Sequence, residues 1–87
     1  MTLDELRSTL QAILDMEEAA DVDWDEVDRL SSRCLERLKR EQAPDYTDSF
    51  VYVFLGDAKL RQDDQDYARI QRERLRNWLE GSEIISR

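Results

Sequence analysis

Carboxylates dominate the chemistry open to this chain: it carries 21 acids, 13 bases and no histidine. Asp21, Asp23 and Asp25 have the alternation that opens a calcium-binding loop, where successive carboxylates converge on one ion. Such a loop needs glycine for a sharp turn at its sixth position and a bidentate glutamate at its twelfth. Glu26 and Ser32 stand there instead. Helix capping accounts for these aspartates, and likewise for Asp63, Asp64 and Asp66. Without histidine the chain lacks the commonest general base and the commonest transition-metal ligand. Cys34, the single cysteine, has Arg33 and Arg37 near it in sequence, which would favour a reactive thiolate. Its place on an apolar stripe points to burial instead. No catalytic, cofactor-binding or metal-ligating residue is assigned, and the chain is not expected to be an enzyme.

The bases offer a second kind of chemistry. Arg69, Arg72 and Arg76 share one side of a helix, with Arg74 elsewhere on it, and guanidiniums so placed can bind phosphates. Glu73 and Glu80 are interleaved with them, and the net charge is -8. A salt-bridged, solvated face is therefore expected, with no direct binding to nucleic acid or to an anionic membrane, because long-range repulsion opposes approach. From Met1 to Asp28 ten acids face Arg7 alone. This block supports an alternative function, an acidic inhibitor or regulator whose carboxylates imitate phosphates on the basic surface of another protein. Further on, the charge alternates in sign from block to block, as in helices with acidic starts and basic ends.

Four helices would position these groups. Leu3, Leu6, Leu10, Ile13 and Leu14 form one apolar stripe, and Thr2 with Glu5 has capping-box spacing, with Met1 and Leu6 placed as a staple. The first helix is expected over residues 3–19. Asp23 and Glu26 repeat the box, Val22 and Val27 the staple, and Val27, Leu30, Cys34, Leu35 and Leu38 the stripe, over 24–41. Arg37, Lys39 and Arg40 favour its C-terminal end and Pro44 blocks continuation. Phe50 to Leu55 is an unbroken apolar run whose β-branched and aromatic residues also suit a strand. Caps at Asp45 or Thr47, continuation into Ala58 and Leu60, and the lack of a second strand to pair with favour a helix over 46–61. Gly56 within it either permits close packing or marks a bend. The last helix is expected over 64–80, with Tyr67, Ala68, Gln71, Leu75, Trp78 and Leu79 inward and Gly81 as its C-cap. A tail of 82–87 would either fray or fold its isoleucines, Ile84 and Ile85, back onto the bundle.

Shifting the chain by 41 residues sets Leu10 on Val51, Ile13 on Phe54, Leu14 on Leu55, Asp23 on Asp64, Asp25 on Asp66, Val27 on Ala68, Cys34 on Leu75 and Leu38 on Leu79. The chain thus reads as two similar helical hairpins. Tyr52, Leu55, Gly56 and Ala68 fall in the register of a tetratricopeptide repeat, a resemblance that stops at Lys59 and Arg72, which occupy two other signature positions. The stretch Asp23-Trp24-Asp25-Glu26 followed by a basic helix slightly resembles small helical flagellar export chaperones. Neither family is adopted.

The expected fold is all-α: one domain over 1–87, a small antiparallel bundle of four helices arranged as two hairpins. Six consecutive apolar residues go more than once round a helix at about 100° each, so the third helix needs cover on every side. A chain of 87 residues covers only part of such a segment itself. The function expected is a non-enzymatic protein-interaction module or small adaptor. It would self-associate, most simply as a homodimer, or bind a protein partner through Phe50, Tyr52, Val53, Phe54 and Trp24. No cofactor is expected. The single cysteine suits a reducing compartment, and the start has no basic leader followed by an apolar run, so a cytoplasmic location is expected.

Overall fold

The computed structural model describes residues 2–41 and 49–85, and these form five helices: α1 (Leu3–Glu17), α2 (Trp24–Arg40), α3 (Ser49–Gly56), α4 (Ala58–Asp63) and α5 (Gln65–Ile85). The starts follow the capping logic of the sequence. The Thr2 hydroxyl oxygen accepts from the Glu5 amide at 3.1 Å, and Asp23 Oδ1 accepts from the Glu26 amide at 3.2 Å. Asp64 Oδ1 accepts from the Tyr67 amide at 3.1 Å. Each satisfies one of the amides that a helix start leaves without an internal partner. Val27 is buried and Val22 packs against the core, as the second staple requires.

Several boundaries differ from the sequence expectation, among them the end of the third expected helix, at Asp63 and not 61. α1 stops at Glu17, with the Glu18 amide bonding the Leu14 carbonyl at 3.0 Å. The third helix is interrupted after Gly56, where the Asp57 amide bonds Phe54, three residues back, at 3.3 Å, so four helices become five. Gly56 thus marks a bend. A methyl group built there would make only an ordinary 3.9 Å contact with Leu35, so close packing is not its reason. Finally, α5 runs through Gly81 to Ile85: Gly81 is a helical residue rather than a C-cap, its preference for turns being too weak to stop a long helix. The proposed caps Asp45 and Thr47, the stop at Pro44, the staple of Met1 and any fold-back of the Ile84 and Ile85 side chains lie outside the described residues.

α1 and α2 form an antiparallel hairpin, closed at the start of α1 and the end of α2 by Glu5 and Arg37 at 3.2 Å. α3 and α4 together form the first arm of a second hairpin and α5 the other. The hairpins interlock: α2 packs on α3 and α4, while α5 packs on α1. The 41-residue offset is visible in burial, because Leu10 and Val51, Ile13 and Phe54, Leu14 and Leu55, Cys34 and Leu75, and Leu38 and Leu79 are buried pair by pair.

The radius of gyration is 12.5 Å, against about 12 Å for a compact chain of this length. The accessible surface is 5627 Å2, and about 5,400 Å2 is expected of a folded monomer of this mass. Both values are those of a compact monomer of this size.

Candidate functional site

Two contacts fix how α3 lies on α5. The Arg74 guanidinium stands 4.7 Å from the Phe50 ring centre, and the Tyr67 hydroxyl donates to Asp57 at 2.5 Å. Since 50 pairs with 74 and 57 with 67, the segments are antiparallel, and residues 53–54 lie level with 70–71. At about 100° per residue, Phe54 and Gln71 turn to the inner flank of this seam and Val53 and Ile70 to the outer. Burial agrees. Phe54 and Gln71 are buried, while Val53 is 48 % and Ile70 53 % exposed. With Leu60, one turn beyond Asp57 and 54 % exposed, they are the large exposed hydrophobics among the described residues. Arg69 pairs with Asp66 across 3.8 Å. Asp57, Lys59, Glu73 and Arg74 complete a border of both signs.

The expected interaction residues therefore separate. Val53 is exposed, and Phe50 and Tyr52 are half-buried and pack against the core. Phe54 is corrected: it is fully buried, with Phe50 beside it at a ring-centre distance of 6.0 Å. It shares the inward stripe with Val51, Leu55 and Ala58, so it belongs to the fold and not to a docking face. Trp24 and Trp78 are half-buried against the core.

A buried polar site joining α1 to α4 has no counterpart in the sequence expectations. Glu17 and Arg61 are a fully buried ion pair. Arg61 Nε donates to both Glu17 carboxylate oxygens at 3.0 Å, and Nη2 donates to one of them at 2.8 Å. Nη1 donates to the Phe54 carbonyl, which also accepts from the Asp57 amide at the break after Gly56. The guanidinium also lies 3.7 Å from the Phe54 ring centre, a cation–π geometry. Arg72, largely buried, reaches Glu17 at 3.3 Å, and Arg76 pairs with Glu18. α1 has no base in its last turn, contrary to the pattern of acidic starts and basic ends. Arginines of α4 and α5 supply the positive charge that its C-terminus lacks. The signal was present in the spacing, since Glu17 continues the 10-13-14 stripe and Arg61 the 54-58 stripe.

The remaining candidates settle as follows. Cys34 is buried and its thiol is pushed up to about 11 by desolvation, with Arg37 pulling the other way; little thiolate forms at neutral pH. Tyr67 is raised by the hydrogen bond it donates to Asp57. Arg69, Arg72 and Arg76 are ion-paired, but with Asp66, Glu17 and Glu18 in place of the interleaved Glu73 and Glu80, and Arg72 is largely buried where a solvated face was expected. In the acidic block, Glu5, Glu17, Glu18 and Glu26 are ion-paired and Asp23 caps α2, which leaves less uncompensated charge than the sequence count implies. Among the described residues no group of three or more acids or cysteines could hold a metal ion. None of their helices is long and apolar enough to cross a membrane. A groove of about 530 Å3 between α1 and α5 has Leu14 and Leu79 in its lining, but Asp4, Arg7, Arg76 and Glu80 there mix both signs and select no ligand class. Comparison with protein-family models, curated proteins and solved structures gives no match.

Proposed function

We propose that this chain is a non-catalytic protein-interaction module that docks through the outer α3–α5 seam, with a second copy of itself as the occupant. The observation that carries this reading is the exposure of apolar side chains along it: Val53 and Ile70 lie at one level of the seam, and Leu60 stands about two turns beyond Val53, past the break at Asp57. The border supports a like partner. Asp57, Asp66 and Glu73 stand among Lys59, Arg69 and Arg74, so a two-fold related copy can set its acids against these bases.

Three half-exposed side chains fall well short of the roughly 800 Å2 that each partner buries in a standard interface. Association is therefore weak and reversible, and it adds to a finished fold. The acidic-mimic alternative has less support, because several of its carboxylates serve caps and ion pairs within the chain. Sedimentation equilibrium over a concentration series tests the proposal. The wild type is expected to shift from monomer to dimer, the dimer loosening modestly as salt screens the border charges, and Ile70→Glu to remain monomeric. A wild type that stays monomeric at high micromolar concentration would sink it. Phe54→Glu is unsuitable as a probe, since it would place a charge in the core.

A further inference from the structure

The fully buried apolar positions of the two hairpins largely correspond, so those positions alone give little reason for each hairpin to pack on the other and not on its own kind in a second chain. The 41-residue offset pairs Leu10 with Val51, Ile13 with Phe54, Leu14 with Leu55, Val27 with Ala68, Cys34 with Leu75 and Leu38 with Leu79, all buried, whereas the partly buried flanking residues such as Trp24, Leu30, Phe50 and Trp78 have polar counterparts. The packing obeys the same exchange, with α2 against α3 corresponding to α5 against α1. Apolar burial is non-directional and depends on area, so it discriminates poorly between first-with-second, first-with-first and second-with-second pairing.

Among the places where the repeat is broken, the buried polar cluster is the one that puts charge in the interior. At the same offset Glu17 corresponds to Ala58, Arg61 to Ala20 and Arg72 to Ser31. Two first hairpins packed together would bury Glu17 carboxylates with no arginine opposite. Two second hairpins would bury Arg61 with no carboxylate. Only the pairing of unlike hairpins brings the Glu17 oxygens within 2.8–3.0 Å of Arg61 and 3.3 Å of Arg72. A buried charge without its partner is among the costliest defects a protein interior can hold.

We infer that the Glu17–Arg61–Arg72 cluster is a pairing lock: it selects the union of unlike hairpins and excludes assemblies of like hairpins, which the apolar faces alone would permit. A single buried polar group that fixes partner and register in helical assemblies works by the same physics. The lock is independent of the outer seam, which lies on a different face of α5.

The test uses the full chain carrying Ile70→Glu, so that any seam dimer is silent, with and without the triple substitution Glu17→Met, Arg61→Met, Arg72→Met. With the lock present, a single set of amide resonances and a monomeric mass are expected. Without it, the chain should stay helical and resist urea, but give several sets of resonances and an oligomeric fraction roughly tenfold higher or more at the same concentration. A triple variant that remains one monomeric species overturns the inference. So does one that unfolds, because the cluster would then act through stability and not through choice of partner.

Discussion

The sharpest single perturbation of this fold is Glu17→Leu. It removes the carboxylate that receives three of the four hydrogen bonds made by the Arg61 guanidinium, and it leaves that guanidinium fully buried with only the Phe54 carbonyl. Arg72 loses its Glu17 contact but is partly exposed and can turn to water. Breaking a buried pair from one side costs about 3–5 kcal/mol. A chain of this length holds about 4–13 kcal/mol in all, so the substitution would remove a large share of the stability. At about 4–8 °C per kcal/mol for a domain this small, Tm should fall by on the order of 20 °C. Urea unfolding followed by far-UV circular dichroism measures the loss as a lower midpoint at unchanged slope. The double variant Glu17→Leu with Arg61→Leu removes both charges and should recover most of it. A single-variant cost under about 1 kcal/mol, or a double variant no more stable than the single, would refute the assignment of a desolvated, mutually dependent pair.

Two further outcomes follow from buried groups on α2. Ser31 is fully buried and its hydroxyl has no hydrogen-bond partner among the described residues, so Ser31→Ala should raise stability by about 1 kcal/mol; a measured loss in urea unfolding would contradict this. Cys34 titrates near 9 when unfolded and at about 11 when folded. The unfolded chain therefore releases this proton first, and the thiol's contribution to stability is intact below about pH 9 and lost as pH rises toward 11. Urea midpoints from pH 8 to 11 should fall less steeply in Cys34→Val than in the wild type, and equal slopes would show that the thiol is not desolvated.

Much of the fold is legible one helix at a time. Capping acids and hydroxyls three residues ahead of an amide, and apolar residues every three or four positions, are local rules. They place α1, α2, the start of α5 and the inward faces of these helices, and the 41-residue offset announces two hairpins. The same rules misjudged what competes with them over a distance. Gly81 is a stop signal by type, yet α5 passes through it. Phe54 looked available to a partner because the apolar run leaves no polar face; packing of α3 against α2 and α5 decided which part of that run turns inward, and left Val53 outside. Arg61 and Glu17 stand 44 residues apart, and each alone looks like a charge misplaced on an apolar stripe. The sequence by itself determined α1, α2, the start of α5 and their inward faces, because those depend on neighbours within a turn or two. Only the tertiary structure decided which hairpin meets which and where the chain remains exposed, because a buried charge is tolerable only beside its partner and that partner comes from the other half of the chain.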